Sequence, residues 1–261
     1  MTDSILFSVD DGLARVTFNR PASLNAMDFE MGGRWRDIAR AIAMAPSVGA
    51  VILDAAGPAF CAGGDVVAMA TSGADGSAVT EAAHVIHEGI RTFVEMPVPI
   101  VAAVQGAVAG GGLGLLLTAD YIVASDTAKF VSRYANIGLT PDLGVSTLLP
   151  AAVGQRRALQ LLLQDRTLDA AEALQWGLVA EVVPPAELAG RAEQVARFWL
   201  DGATGAFGQA KRLVRSGAGR SFADNLDDEA STIGAAFDTP PSRARVAAFA
   251  AASRKSTKGN A

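Results

Sequence analysis

One cysteine in 261 residues, Cys61, leaves no internal disulfide framework and fits a reducing compartment. Only two histidines are present, and no His/Cys cluster with metal-ligand spacing occurs. Basic residues are outnumbered, 22 against 27 acidic, for a formal net charge of −5. That balance argues against a general nucleic-acid binder, which carries a basic face, but leaves room for a local basic pocket. Charge is sparse at 19% while half the chain is hydrophobic, so a globular core is expected rather than disorder. From Met96 to Ala119 no charged residue stands at all. Pro97, Pro99, Gln105 and several glycines interrupt that run, which therefore reads as a buried strand and a buried helix, not a membrane span. Asp3 follows the start at once and no secretory signal is visible, so a soluble, cytoplasmic protein is expected.

Glycine is what the chain has in quantity, and one stretch concentrates it: Ala109-Gly110-Gly111-Gly112-Leu113-Gly114. It follows the apolar run Ile100–Val104 and leads into a segment that reads as a helix as far as Asp120. A strand, a glycine turn and a helix start leave backbone N–H groups unpaired, and glycine lets a ligand approach them. Such a turn suits a phosphate or a developing oxyanion, or serves only close packing. The dinucleotide fingerprint fails because Leu115 stands where its third glycine belongs, and no Lys-Ser/Thr pair follows for a P-loop.

In chain order, Ile5–Val9 and Leu13–Phe18 read as strands joined by an Asp10-Asp11-Gly12 turn. Asp28 is a plausible N-cap for a helix to about Ala45, with Phe29, Trp35 and Ile38 on its apolar face. Ala50–Leu53 is a short buried strand, followed by a second glycine turn, Phe60-Cys61-Ala62-Gly63-Gly64-Asp65, that opens a second helix. Thr71–Thr80 reads as a mobile loop and Glu81–Val94 as a helix. Strands are expected at Tyr121–Ala124 and Lys129–Val131, helices near 144–152, 155–164 and 169–176, a strand within Leu178–Val183, and a helix over Glu187–Leu200. The rest is broken helix ending in a basic tail.

Asn19-Arg20-Pro21…Leu24-Asn25-Ala26-Met27, Phe60–Asp65, Gly106…Gly110-Gly111-Gly112 and Trp176-Gly177-Leu178-Val179, in that order, closely resemble the crotonase (enoyl-CoA hydratase/isomerase) superfamily. The resemblance covers nearly the whole chain. It implies an α/β fold: a β-β-α spiral core, assigned here to 1–200, and a C-terminal helical region, 201–261, used to form trimers or dimers of trimers. It further implies an acyl-CoA thioester substrate whose carbonyl oxygen sits between the N–H groups of Gly64 and Gly111. Coenzyme A would be part of the substrate, with no separate cofactor and no metal. The loop Ala22-Ser23-Leu24…Ala26 matches the stretch that holds the CoA nucleotide through backbone contacts, and Ala62 and Asp65, on the turn of the first oxyanion donor, are implied substrate-binding residues with it.

Hydratases of the superfamily use two glutamates, and the matching positions here are Gly114 and Tyr134. Water addition by that route is therefore not expected. Asp142, in Thr140-Pro141-Asp142-Leu143-Gly144, matches the catalytic Asp of epoxyphenylacetyl-CoA isomerases and related enoyl-CoA isomerases. A carboxylate facing a pinned enolate can carry a proton from one carbon to another, and burial among apolar neighbours would tune it for that task. As residues alone, Pro141-Asp142 is equally a turn or an N-cap. Position 142 also matches the nucleophilic Asp of chlorobenzoyl-CoA dehalogenase, with His87 at its base. His87 otherwise reads as a structural histidine, as a wall of the acyl pocket, or as a partner to His84 one turn away. Tyr134 reads as an acyl-pocket wall or as packing, Cys61 as packing. Lys211, Lys255 and Lys258 could meet CoA phosphates but fit solvated surface as well. An isomerase is the leading expectation; a hydratase, a dehalogenase and an acyl-CoA-binding scaffold without turnover are the alternatives.

Overall fold

Alternating apolar residues in Ile5–Asp10 (β1) and Leu13–Phe18 (β2) pair as an antiparallel hairpin with Asp10 opposite Leu13. The two turn residues, Asp11 and Gly12, have φ of 46° and 76°, the left-handed pair that matches strand twist. A computed structural model describes residues 3–164 and 166–258 of the chain. After β2, Asp28 caps Phe29–Met44 (α1) by accepting the Met31 N–H, and the chain returns parallel to β2 as Ala50–Ala55 (β3). Val66–Thr71 (α2) and Gly76–Glu95 (α3) follow, then Ile100–Val104 (β4), Ala107–Ala109 (β5) and Gly111–Leu116 (α4). Tyr121–Ser125 (β6) and Lys129–Val131 (β7) lead to Val145–Val153 (α5) and Gln155–Leu163 (α6). Thr167–Asp169 (β8), Ala170–Trp176 (α7), Glu181–Val183 (β9) and Leu188–Asp201 (α8) complete the sheet-bearing part. Thr204–Gly217 (α9), Phe222–Phe237 (α10) and Pro240–Lys258 (α11) end the chain.

The strands form a six-stranded sheet, β1-β2-β3-β4-β6-β9, and a three-stranded one, β5-β7-β8. Two successive strand pairs, β4/β5 and β6/β7, each place their first strand in the large sheet and their second in the small one. The backbone thus winds as a β-β-α spiral, as the resemblance implied. Between the layers Trp35 and Phe93 stack with ring centroids 4.3 Å apart, and Phe18 meets Phe60 edge-on at 5.4 Å. Helices α1 and α3 approach closely because Gly89 carries no Cβ: one there would lie 2.4 Å from Trp35 Cδ1. That contact fixes where α3 presents Ile86 and His87.

Several elements differ from the sequence reading for identifiable reasons. The 71–80 loop shrinks to 72–75, because Asp75 accepts the Ala78 N–H and starts α3 at Gly76. α4 stops at Leu116 rather than Asp120; Thr118 and Ala119 donate to Leu115 and Leu116 carbonyls, tightening the last turn into i→i+3 bonds. Phe29 is 43% exposed, so it does not belong to the core face of α1. The three-residue strands β5 and β8 carry too few residues for a period to show.

Helix α9 is pinned to the core by Lys211, whose side chain is 3% exposed. Its Nζ donates to Phe93 O at 2.7 Å and Val98 O at 2.8 Å and pairs with Asp120 Oδ2 at 3.1 Å. Neither a CoA phosphate nor solvent is its partner, because burial and three acceptors claim the ammonium; Lys255 and Lys258 have side chains outside the described residues. Burial pushes Lys211 down to about 8, with Asp120 pulling it back up. Lys211→Met leaves two buried carbonyls and a carboxylate short of a partner. Urea denaturation should show a loss of about 3–5 kcal/mol, the cost of breaking a buried charge pair from one side.

Candidate active site

Two isolated parallel bridges, Met27 with Gly64 and Cys61 with Val108, draw the first glycine turn between two other segments. Met27 N–H donates to Gly63 O at 2.7 Å, and Asp65 N–H donates to Met27 O at 2.9 Å. Bonds at such a bridge go to the flanking peptides, so the N–H of Gly64 itself is left over. Cys61 N–H donates to Ala107 O at 3.2 Å, and Ala109 N–H to Cys61 O at 2.9 Å. These bonds bring β5 and the second glycine turn alongside the first. Among the described residues neither Gly64 N–H nor Gly111 N–H has an acceptor. Gly63, at φ +100°, keeps the junction open: a Cβ there would sit 2.8 Å from Ala109 O and 3.3 Å from Gly111 N. The Gly63–Gly64 and Gly111 peptides therefore lie side by side.

Asp142 approaches from a third segment. The residues after it, Leu143 and Gly144, both take left-handed backbone, with φ of 48° and 81°. For a leucine that conformation costs about 1–2 kcal/mol, so the surroundings must hold it. Leu143 is 2% exposed, and its N–H donates to His87 Nε2 at 3.1 Å. Its side chain lies where Gly111 lacks a Cβ (2.7 Å to Leu143 Cδ1) and its carbonyl where Gly114 lacks one (2.0 Å to Leu143 O). The same missing Cβ on Gly111 would be 3.4 Å from Asp142 Oδ1, which sets the carboxylate beside that peptide. Tyr134 Oη donates to Asp142 Oδ1 at 2.6 Å. Burial first, and the charge of Asp142 second, push the Tyr134 phenol well above its usual range, so it stays protonated as a donor.

Asp142 is not the buried carboxylate that the sequence reading expects. It is exposed, on the surface run 135–142, with Tyr134 Oη bonded to it and the Gly111 turn alongside. It does line a small cavity with Gly64, Met69, Val79, Ile86 and Leu143. Asp28 and Asp65 line that cavity as well, but their oxygens are committed. Asp28 Oδ1 caps α1, and Asp65 Oδ1 caps α2 by accepting the Ala68 N–H at 2.9 Å. Their second oxygens meet Arg20 at 3.1 and 3.0 Å. The Ala68 N–H, followed by burial opposing it and Arg20, holds the Asp65 carboxyl below its ordinary value. Of the three carboxylates only Asp142 keeps an oxygen, Oδ2, with no partner among the described residues. A larger cavity of about 780 Å³ among α9, α10 and α11 has no carboxylate or histidine in its lining and so offers no group to move a proton.

The loop before α1 is held by Asn25, whose Nδ2 donates to Ala56 O and Ala59 O and whose Oδ1 accepts the Arg20 N–H. Ala22 and Leu24 are exposed on it, and Ala26 is buried. Leu24 O accepts the Ala62 N–H at 3.0 Å, and Ala26 O accepts from the Arg20 guanidinium. Those two carbonyls offer a ligand only their second lone pair. His87 and Tyr134 both turn to the 142–143 turn and are absent from the cavity lining. Cys61 is fully buried, and burial pushes its thiol up to about 12, which removes it as a nucleophile. Among the described residues no group of three or more His, Cys, Asp or Glu could hold a metal ion, and no helix is long and apolar enough to cross a membrane. Sequence reasoning does not reach Leu143, Gly63 or Arg20. Arg20 stands in the quoted Asn19-Arg20-Pro21 motif without a role, and the Asp-Leu-Gly order at 142–144 is the one available sign of a left-handed turn.

Residues 8–256 match the family model for enoyl-CoA hydratase/isomerase. The chain belongs to that family. The crotonase-family chain is 31% identical over 231 residues to the 1,2-epoxyphenylacetyl-CoA isomerase of Escherichia coli K12, covering 88% of each. To 4-chlorobenzoyl coenzyme A dehalogenase-2 of an Arthrobacter species it is 32% identical over 241 residues, covering 92% of this chain and 87% of the other. The solved enoyl-CoA hydratase/isomerase of Cupriavidus metallidurans CH34 superposes with a TM-score of 0.87 at 30% identity, covering 95% and 94% of the two chains. This crotonase-fold protein is thus an enzyme of the enoyl-CoA hydratase/isomerase family, and the acyl-CoA chemistry of that superfamily is its field.

Proposed function

We propose that the enzyme is an acyl-CoA isomerase that moves a carbon–carbon double bond relative to the thioester, with Asp142 carrying the proton. What supports this most is the accounting of carboxylates: of the three bordering the cavity, one aspartate keeps an oxygen unclaimed among the described residues, beside two glycine N–H groups equally unclaimed among them. In the forward step Asp142 Oδ2 takes a proton from C2 of a 3-enoyl-CoA. The electron pair spreads over the dienolate to the thioester oxygen, which the N–H groups of Gly64 and Gly111 hold. The same oxygen then returns the proton to C4, giving the 2-enoyl thioester. The atoms balance without a cofactor, coenzyme A being part of the substrate. One shuttling oxygen keeps both transfers on one face of the dienolate. Tyr134, donating to Oδ1, leaves Oδ2 as the working atom.

Hydration by two glutamates is disfavoured because the space of a side chain at Gly114 is filled by Leu143 O. Hydrolytic dehalogenation is disfavoured because His87 Nε2 already accepts the Leu143 N–H and is not free to activate water. The exposed loop at Ala22 and Leu24 would carry the nucleotide end, with Ala62 and Asp65 on the same turn as Gly64 lining the thioester end. The exposed apolar side chains of Val214, Phe222, Ile233 and Phe249 favour a homotrimer or dimer of trimers built on the C-terminal helices.

The test is proton exchange. Incubated with 3-enoyl-CoA in D₂O, the enzyme should form 2-enoyl-CoA with label at the α and γ carbons and no 3-hydroxyacyl-CoA. Hydroxyacyl-CoA as main product, halide release from a halobenzoyl-CoA, or tight thioester binding without turnover would each replace this reading.

A further inference from the structure

His84 and His87 lie one turn apart on α3, yet only His87 reaches another segment. Its Nε2 accepts the N–H of Leu143, the left-handed residue directly after Asp142. An accepting Nε2 is an unprotonated one, so this contact exists only with the neutral imidazole, its proton on Nδ1. We infer that His87 is a positioning residue, a latch that holds the 142–144 turn against Gly111 and Gly114 while neutral and releases it when protonated. The inference rests on the proposal that Asp142 moves the proton.

Protonation turns Nε2 into a donor facing another donor, so the Leu143 N–H loses its partner and the turn loses the bond that offsets its left-handed backbone. Tyr134 then still grips Oδ1, but from one side only. The charged groups around His87 are few. Asp142 faces it from the turn, and His84 and Arg91 from its own helix. Of the helices packed on α3, α1 has Arg36 paired with Asp37 and Arg40 with Glu88, and α9 has Lys211 tied to Phe93 O and Asp120. α5, whose Gly144 cap sits against Ile90, contains no charged residue. Burial, helped by His84 and Arg91 and opposed by Asp142, shifts His87 below the ordinary imidazole range. The latch therefore stays closed at neutral pH and opens on the acid side.

Three variants and one spectrum test this. His87→Leu, with no acceptor, should lower kcat on 3-enoyl-CoA about 100-fold at every pH with little change in KM, the effect of a reacting group displaced by about 1 Å. His87→Gln, whose Oε1 accepts the Leu143 N–H but does not titrate, should recover most of that loss and move the acid limb of kcat to lower pH by a unit or more. His84→Gln should leave kcat at neutral pH unchanged and, by removing a neighbouring charge that holds His87 down, move the acid limb only slightly, to higher pH. In ¹⁵N-leucine-labelled wild type the Leu143 amide should shift in step with the His87 imidazole titration, a readout that requires neither a variant nor turnover. A Leu143 amide indifferent to that titration, or a His87→Gln acid limb identical to wild type, overturns the latch. Normal turnover by Asp142→Asn overturns the assigned shuttle instead, and the amide titration still reports on the latch.

Discussion

Asp142→Asn will cut kcat for 3-enoyl-CoA by about 10²–10⁴-fold, the range for removing a positioned general base, while the dissociation constant of the thioester stays within a few-fold. Asparagine keeps the size and one oxygen, so Tyr134 can still donate to position 142 and the turn keeps its shape. What disappears is the oxygen that accepts a proton. The C2 exchange in D₂O should vanish together with product, because abstraction precedes return. Stopped assays with wild type and variant side by side decide it. An Asp142→Asn enzyme that still exchanges the α proton would assign the base elsewhere. The neighbouring candidates are poor ones, since Asp28 and Asp65 are engaged in helix caps and with Arg20.

Gly114→Ala will have the largest effect on the fold around the site. Its Cβ would stand 2.0 Å from Leu143 O and 3.1 Å from Leu143 Cβ. The first obstacle is main chain and cannot rotate away. Either α4 or the 142–144 turn must move, at about 3 kcal/mol or more, the upper end for overpacking. Because Asp142 precedes Leu143, turnover should fall at least tenfold beyond what the loss of folded protein explains. Gly114→Glu should behave worse and should not yield a hydratase. Gly190→Ala, inside α8, is the matched control: nothing lies within 4 Å of its Cβ position, and urea denaturation should find it unharmed or more stable by about 0.4–1 kcal/mol. Comparing denaturation midpoints and single-turnover rates of the three separates local crowding from a general intolerance of alanine.

Legibility from sequence follows the range of the interactions. The hairpin, α1 and β4 are readable because turn chemistry, a capping aspartate and an uninterrupted apolar run act within a few residues. The α3 start is not, since Gly76 looks like a breaker until Asp75 is seen accepting the Ala78 N–H. The two glycine turns can be recognised by residue order, but their adjacency depends on the Met27–Gly64 and Cys61–Val108 bridges, which link segments far apart in sequence. Asp142 stands out by position, whereas its exposure, the Tyr134 bond and the strained leucine beside it are tertiary facts. Lys211 misleads because a lone lysine on a polar helix resembles surface until three acceptors are found around it.

The Arg20 guanidinium grips Asp28, Asp65 and Ala26 O at once, so one side chain ties the rim loop of 20–27 to the head of α1 and to the head of α2 with its adjoining Gly64 peptide. A long thioester anchored at its far end on that rim would meet no slack before reaching the glycine amide. Under the proposed reaction, free energy gathered at the distal handle would then be available for bond rearrangement at the other extremity, instead of being dissipated in ordering a loose hinge between them.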